Sequence, residues 1–368
     1  MLLFRKFLIA AGLGFCTFVL VSGASAQNYP NRPITVIVPF AGGSASDVVS
    51  RIVLEKMSSI LGQPMVVDNK PGAGGNVGTA LAAKSAPDGY TLLGTGSGPM
   101  AANLALYSKL GYDPQKDLIM ISPFASFTIV VTASEKLGVK SIEGLIERAR
   151  KEPGALNYGS VGIGSSQHLA GEYFAQVAGV KLTHVPYRNI AQFGPDIMAG
   201  TVQLGFAWYP NVAGPITANG AIALAVAGDN RLAILPATPT AAEAGLPEYK
   251  FDGWFGLGAP ADVPQSILHK LNAVLNDALN DPAVRAGYEK IGAVPVGLSL
   301  DQAKAFHANE IVREIISSRY RQGRLTRAKP DSQVKNPAST TVPVGHPEPV
   351  GEKQHRTVSV RWVKPPCA

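Results

Sequence analysis

The hydrophobic residues of this chain fall into short apolar runs that alternate with longer segments of helical periodicity. Residues 34–38 form a run of β-branched side chains, which is typical of a buried strand, and residues 45–61 carry apolar side chains at helical spacing. The alternation continues to a last predicted helix from Leu300 to about Ile316. Strands that alternate with helices are typical of parallel sheets covered by helices, so the pattern predicts an α/β fold.

The length of the chain and the order of its strands predict two domains. A single hydrophobic core stops growing beyond about 250–300 residues, and this chain has 368. Strands are predicted at 119–121 and 127–132, and we expect the second to lead into the second domain without a flexible linker. In the predicted helix at 45–61, the residues expected to face the sheet are Val48, Ile52, Met57 and Ile60.

The first 26 residues have the pattern of a cleaved secretory signal. Arg5 and Lys6 precede an apolar run at 7–21, which is shorter than a helix of about 20 residues that spans a membrane. A small-x-small cleavage pattern follows at 24–26, so we expect the mature chain to begin near Gln27. A retained membrane anchor is the alternative.

The net charge of +7 is concentrated at the two ends of the chain. From residue 319 to the end there are ten Lys and Arg against three Asp and Glu, and the leader adds two more basic residues. The segment 27–318 holds 21 basic and 23 acidic residues, so the folded part has no electrostatic reason to bind nucleic acid. The proline-rich, charged composition of 319–368 predicts a disordered basic tail.

The turn after the first predicted strand is the first candidate binding element. Two neighbouring glycines let successive backbone N–H groups point the same way, and the following helix start adds partial positive charge, which together suit an anion. The alternative is an ordinary strand-to-helix turn, in which the carboxylate of Asp47 only favours the helix N-terminus. The candidate ligand-binding residues here are Phe40, Ala41, Gly42, Gly43, Ser44 and Asp47.

Further turns repeat this combination of glycines, hydroxyls and a helix start. In the turn at 159–166, the role of helix N-cap would by itself explain one of the two serines at 165–166, and this is the alternative to ligand contact. Trp208 and Tyr209 follow a later strand and could wall a pocket or fill the seam between domains. The candidates in these turns are Gly74, Gly75, Asn76, Thr95, Ser97, Gly159, Ser160, Gly164, Ser165 and Ser166.

The sequence lacks the motifs of several common enzymes. It contains no H-E-x-x-H, no paired cysteine or histidine spacing and no G-x-S-x-G. Gly72, Gly74 and Gly78 give G-x-G-x-x-x-G, which departs from the dinucleotide fingerprint. We therefore expect no metal, no cofactor and no catalytic residue, although a catalytic triad assembled only in the fold is an open alternative.

The ordered set of motifs resembles the Bug family of extracytoplasmic solute receptors, which serve tripartite tricarboxylate transporters. The likeness covers residues 29–312. The matching segments are YPNRPI at 29–34, VPFAGG at 38–43, NKPGAGG at 69–75, PDGYTL at 87–92, YGS at 158–160, GS at 164–165, HVPYR at 184–188 and PTAAEAGLP at 239–247.

This resemblance implies a fold and a function. The fold would be like that of type II periplasmic binding proteins: two α/β lobes, joined by a strand hinge, that close on a small mono- or dicarboxylate. Lobe 1 would comprise 27–131 and 251–318, and lobe 2 would comprise 132–250. The implied ligand contacts are backbone amides and hydroxyls of the turns at 40–44, 74–76 and 159–166. The implied protein is a periplasmic monomer whose partner is a membrane permease.

Two departures from the family pattern matter. Many members carry an aspartate after the phenylalanine that corresponds to Phe206, which suits an amino-acid ammonium, whereas this chain has Ala207. We therefore expect a ligand without an amine, such as a dicarboxylate or an aromatic acid. The residues beyond Ser318 also differ from the family. The competing functions are an exported enzyme acting on a small carboxylic acid and a sensory or adhesion protein that uses the same cleft.

Overall fold

The structure is a computed structural model that describes residues 29–321, with side chains of the last helix described as far as Arg313. The predicted signal peptide lies outside the described residues, as does the predicted tail beyond residue 321. The last helix continues to Arg321 and so runs past Ile316, where the sequence pattern had placed its end.

Within the described residues the chain forms eleven strands and ten α-helices. None of these helices is long and apolar enough to cross a bilayer. The strands are β1 (Ile34–Val38), β2 (Met65–Asn69), β3 (Thr91–Gly96), β4 (Leu118–Thr128), β5 (Val130–Ser134), β6 (Asn157–Ser160), β7 (Thr183–Pro186), β8 (Leu204–Ala207), β9 (Ala221–Val226), β10 (Asp252–Pro260) and β11 (Ala293–Pro295). The helices are α1 (Ala45–Leu61), α2 (Asn76–Ala83), α3 (Asn103–Leu106), α4 (Ile142–Lys151), α5 (Ser166–Ala178), α6 (Phe193–Ala199), α7 (Tyr209–Thr217), α8 (Gln265–Asn280), α9 (Pro282–Glu289) and α10 (Leu300–Arg321).

Two separate sheets define the two lobes. The lobe 1 sheet has six strands in the order β11-β4-β10-β3-β1-β2, and the lobe 2 sheet has five in the order β7-β6-β8-β5-β9. β1 is parallel to β2 and β3, and β6 is parallel to β7 and β8. The carboxyl ends of these parallel strands lead into helices, as in other α/β sheets that bind ligands at that edge. The prediction of an α/β fold with two lobes is confirmed.

Helix α1 packs on the lobe 1 sheet, but on a different face from the predicted one. Of Val48, Ile52, Met57 and Ile60, only Met57 is buried, and Ile60 is 41% exposed. The prediction followed apolar residues alone, whereas the inner face also contains polar side chains at the cleft end of the helix. The buried residues of α1 are Ala45, Ser46, Asp47, Val49, Ser50, Val53, Leu54 and Met57.

The core of lobe 2 is built from aromatic residues between the sheet and α5. Phe174 of α5 packs against Phe206 of β8 and Tyr249, with ring centroids 5.0 and 5.2 Å apart. Tyr158 of β6 meets Phe206 edge to face at 5.5 Å. These rings are fully buried, so they fix the position of α5 on the sheet.

The chain crosses between the lobes twice, at adjacent positions. β4 ends at Thr128 and β5 begins at Val130, so the single strand predicted at 127–132 is divided at Ile129. The Ile129 N–H donates to the Phe251 carbonyl at 3.1 Å, and the Ala227 N–H donates to the Ile129 carbonyl at 2.8 Å. The crossing segments therefore form a hinge tied by backbone hydrogen bonds.

Candidate functional site

A narrow cleft lies between the lobes. Its lining residues from lobe 1 are Phe40, Ser44, Ala45, Ser46, Gly96, Gly98, Pro99 and Phe255. Those from lobe 2 are Val161, Ser165, Ser166, Gln167, Trp208 and Asn211. None of these described lining residues is charged, and the enclosed space is about 30 Å³. An anion in this cleft must therefore be held by hydrogen-bond donors and dipoles.

The lobe 1 side of the cleft is the turn between β1 and α1. Gly43 has a φ of 77°, which lets the chain reverse into the helix. Ser44 is the N-cap of α1, and its hydroxyl accepts a hydrogen bond from the Asp47 N–H at 3.3 Å. The first amides of α1, at Ala45 and Ser46, have no partner within the helix, and both residues line the cleft. This turn offers N–H donors and the positive end of a helix to an anion.

Asp47 lies behind this turn and holds its shape. One carboxylate oxygen accepts the Gly43 N–H at 2.9 Å, and the other accepts Arg51 Nε at 2.9 Å and Asn69 Nδ2 at 3.0 Å. Burial opposes ionisation, but the hydrogen bonds from Arg51, Gly43 and Asn69 outweigh it and hold the pKa of the Asp47 carboxyl below its ordinary value. Both oxygens are engaged inside lobe 1, which favours the helix-terminus role over ligand contact.

The lobe 2 side of the cleft is the turn between β6 and α5. Gly164 has a φ of 80°, and Ser165 is the N-cap of α5. The Ser165 hydroxyl accepts the His168 N–H at 3.3 Å and donates to the Gly162 carbonyl at 2.7 Å. The next residue, Ser166, is the first of α5 and lines the cleft. This turn presents a second helix N-terminus to the same space.

A serine and two histidines support the lobe 2 turn from behind. Ser160 is fully buried, and its Oγ lies 2.6 Å from His184 Nε2 and accepts the Gly162 N–H at 3.0 Å. The rings of His168 and His184 are 4.4 Å apart. Burial and the neighbouring His168 lower the pKa of His184 to about 4. Ser160 therefore orders the turn without lining the cleft.

The loops of the two lobes touch at the edge of the cleft. A Cβ on Gly74 would lie 2.0 Å from the Ile163 carbonyl oxygen, so only glycine permits this approach. The Tyr107 hydroxyl donates to the same carbonyl at 2.7 Å. Ser97 Oγ and Ser166 Oγ are 3.2 Å apart. These contacts connect the lobes in the conformation described.

Trp208 forms an aromatic wall of the cleft. It is 4% exposed, and its ring lies 5.8 Å from that of Phe127 and 6.2 Å from that of Phe255, measured between centroids. It thus lines the cleft and fills the seam between lobes at once. Tyr209 is not a lining residue and packs in an apolar cluster of lobe 2.

The remaining predicted residues lie next to the lining residues or behind them. Ala41, Gly42, Gly43 and Gly164 belong to the two turns, and a Cβ on Gly75 would approach the ring of Phe40 to 2.9 Å. A Cβ on Gly159 would lie 2.4 Å from Phe193, so Gly159 serves packing beneath the turn. The Asn76 Oδ1 accepts from Asn103 Nδ2 at 2.6 Å inside lobe 1. Of the predicted set, Phe40, Ser44, Ser165, Ser166 and Trp208 line the cleft.

One lining residue, Ser46, has a buried hydroxyl with no hydrogen-bond partner among the described residues. Thr95 Oγ1 is also buried without a partner, but Thr95 does not line the cleft, and in β3 it faces the opposite side of the sheet from Gly94 and Gly96. Buried hydroxyls are usually paired within the protein or with water or ligand. Ser46 Oγ is therefore available to a polar group of a ligand, whereas Thr95 is not a cleft residue, contrary to the prediction.

The sequence analysis missed several lining residues. Ser46 and Gln167 are the second residues of α1 and α5, so extending each predicted turn by one helical turn would have found them. Asn211 and Phe255 lie outside any glycine-rich turn. Asn211 lies in the first turn of the helix that begins at Tyr209, so extending the predicted site beyond Trp208 and Tyr209 would have found it. Phe255 lies within β10, and no local signal marks it.

Two α/β lobes, a paired hinge and a cleft lined from both sides define a two-lobed solute-binding protein. Residues 49–319 match the family described as TctC, Tripartite tricarboxylate transporter family receptor, and the chain belongs to this family. Protein BugT of Bordetella pertussis is 35% identical over 309 residues, which cover 84% of this chain and 95% of BugT. The resemblance to the Bug family is thereby confirmed.

Solved structures with bound dicarboxylates are similar to this chain. Rpa4515 of R. palustris, solved with adipate, is 33% identical with a TM-score of 0.76, and the match covers 80% of this chain and 98% of that one. MatC of Rhodopseudomonas palustris, solved with bound malate, is 29% identical with a TM-score of 0.73, and the match covers 79% of this chain and all of that one (100%).

Proposed function

We propose that this protein is a periplasmic receptor that binds a small mono- or dicarboxylate and, as a monomer, delivers it to the membrane permease of a tripartite tricarboxylate-type transporter. One observation carries the proposal: two helix N-termini, those of α1 and α5, meet at one cleft whose described lining is uncharged. Family membership and the dicarboxylates bound by Rpa4515 and MatC support it.

The position of the two helix ends suggests one carboxylate on each lobe. Such a ligand completes its hydrogen bonds only when the lobes are together, so it favours the closed state. The enclosed space of about 30 Å³ corresponds to about two water molecules. A ligand of four or more carbons is larger, so its entry requires the lobes to move apart at the hinge around Ile129, Ala227 and Phe251.

The lining chemistry favours a ligand without an amine. An ammonium group needs a carboxylate or several acceptors in the binding site. Ala207 is 1% exposed, and the described lining residues include no acidic side chain. We infer that the ligand has carboxylates but no ammonium.

The structure also bears on the enzyme alternative. Ser160 and His184 have the spacing of a nucleophile and its base, with 2.6 Å between Oγ and Nε2. However, Ser160 is fully buried behind the lobe 2 turn and is not a lining residue. Among the described residues, no group of three or more His, Cys, Asp or Glu could hold a metal. These observations favour a receptor that binds and releases its ligand unchanged.

A thermal-shift screen followed by calorimetric titration tests the proposed function. The screen contains succinate, malate, adipate and benzoate, with the corresponding diamides as uncharged controls. Ligand at a hundredfold excess over its Kd should add about 2.7 kcal/mol to the free energy of unfolding. A protein that responds to no carboxylate, or that converts its ligand in an NMR assay, would contradict the proposal.

A further inference from the structure

We propose that Asn211 is a specificity-determining residue that presents its amide N–H₂ group to a ligand carboxylate, in an orientation fixed by the buried side chain of Gln167. This inference rests on the proposed function and names a contact in lobe 2 that the glycine-rich turns do not provide.

The backbone N–H of Val161 sets the orientation of the Gln167 side-chain amide. The Val161 N–H donates to Gln167 Oε1 at 2.9 Å. A backbone N–H can only donate, so the Gln167 atom that faces it must be the oxygen. The other end of the Gln167 amide must then be Nε2, which can only donate.

The orientation of the Gln167 amide in turn fixes that of the Asn211 amide. Gln167 Nε2 donates to Asn211 Oδ1 at 3.0 Å. Because Nε2 has no acceptor capacity, the Asn211 atom that faces it must be the oxygen. Gln167 is 2% exposed, so rotating its amide would leave a buried donor facing the Val161 N–H, at considerable cost. The chain of hydrogen bonds therefore fixes both amides.

The N–H₂ group of Asn211 remains for the ligand. Asn211 is half-buried in the first turn of α7 and lines the cleft. Among the described residues, none accepts a hydrogen bond from Asn211 Nδ2. Helix α7 contacts α1 of the other lobe, so this donor lies near both helix ends. A neutral donor here suits a carboxylate and offers nothing to an ammonium.

The charge-reversing variant Asn211→Asp gives the sharpest test. Aspartate has the same shape and can still accept from Gln167 Nε2, but it places a negative oxygen at the ligand instead of N–H₂. It sits in the first turn of a helix, where an acidic residue is favourable, so we expect the variant to fold. The Kd of the best dicarboxylate of the screen should rise about 100-fold, because like charges in a binding site cost several kcal/mol.

Asn211→Ala and Gln167→Leu complete the experiment. Asn211→Ala removes the donor without adding charge, and we expect the Kd to rise about 10-fold. Gln167→Leu releases the Asn211 amide, and we expect a smaller rise. The Kd of the double variant should lie within about twofold of the Kd of Asn211→Ala, because Gln167 acts through Asn211.

The outcomes separate this inference from the proposed function. If the wild type binds a dicarboxylate and Asn211→Asp changes its Kd by less than about twofold, the inference is wrong and the proposed function stands. If the wild type binds no carboxylate, both are overturned. Independent, additive effects of the two single variants would contradict the role assigned to Gln167.

Discussion

The two turns that face each other across the cleft share one backbone geometry but are held by different side chains. Gly43 and Gly164 have φ values of 77° and 80°. The N-caps Ser44 and Ser165 both have a φ of −68°, with ψ values of 162° and 155°. Each N-cap hydroxyl accepts the N–H three residues later at 3.3 Å. The two lobes have thus formed nearly the same anion-binding turn.

The difference lies in the side chain that reaches back to each glycine. In lobe 1 an Asp47 carboxylate oxygen accepts the Gly43 N–H at 2.9 Å, and in lobe 2 the His168 Nδ1 accepts the Gly164 N–H at 3.3 Å. An ionised carboxylate accepts at any pH above its low pKa, whereas a protonated imidazole cannot accept at all. The same backbone shape is therefore held by a carboxylate in lobe 1 and by an imidazole ring in lobe 2.

The largest effect on stability should come from removing the charge that holds the lobe 1 turn. Asp47 is 4% exposed and accepts from Gly43, Arg51 and Asn69. Asp47→Ala removes the acceptor of the Gly43 N–H and two further hydrogen bonds to a buried carboxylate, and we expect a loss of about 2–4 kcal/mol in urea unfolding. The matched control Glu152→Ala breaks an exposed pair with Arg148, for which we expect less than about 1 kcal/mol. Equal losses in both variants would contradict this view of Asp47.

Among the residues that do not line the cleft, Gly74 should have the largest effect on binding, because its loop in lobe 1 meets the Ile163 loop of lobe 2. A Cβ on Gly74 would lie 2.0 Å from the Ile163 carbonyl oxygen and would hold the lobes apart. We expect Gly74→Ala to weaken dicarboxylate binding about 10-fold or more. Gly179 has the same φ of 63° but nothing within 4 Å. Gly179→Ala therefore shares the backbone strain and should leave the Kd unchanged, and similar Kd values for both variants would exclude a role for the loop contact.

The stability of the fold should fall with acid because of His184, which lies behind the lobe 2 turn. Burial and His168 lower the pKa of His184 from 6.5 to about 4. Between these values the unfolded chain binds a proton that the folded chain does not, so the free energy of unfolding decreases as the pH drops through this window. Urea unfolding at about pH 7 and 4.5 should show a smaller decrease for His184→Gln than for the wild type. An equal decrease would mean that other groups are responsible.

The smallest effect should come from the hydroxyl at the edge of the cleft. Tyr107 OH donates to the Ile163 carbonyl at 2.7 Å, and this bond is made between lobes. We expect Tyr107→Phe to raise the Kd about threefold to tenfold, since one hydrogen bond contributes about 1 kcal/mol. The thermal stability of the ligand-free protein serves as the control and should change little. A Kd equal to that of the wild type would show that the bond does not contribute to closure.

The same comparison explains what could be predicted from the sequence. Both turns could be predicted from their glycines, serines and helix starts, because the backbone conformations that these features require are local. The buried face predicted for α1 was wrong, because Ser46 and Ser50 are buried and a hydrophobic pattern does not detect buried serines. Phe255 lines the cleft from within β10, and no short stretch of sequence marks it as a cleft residue.

A crystal structure of the protein with adipate would test the central claim most directly. We predict that one carboxylate accepts hydrogen bonds from the first amides of α1, at Ala45 and Ser46, and that the other accepts from those of α5, at Ser166 and Gln167, at about 3 Å. A ligand held by one lobe alone, or by a lysine or arginine side chain, would contradict the account.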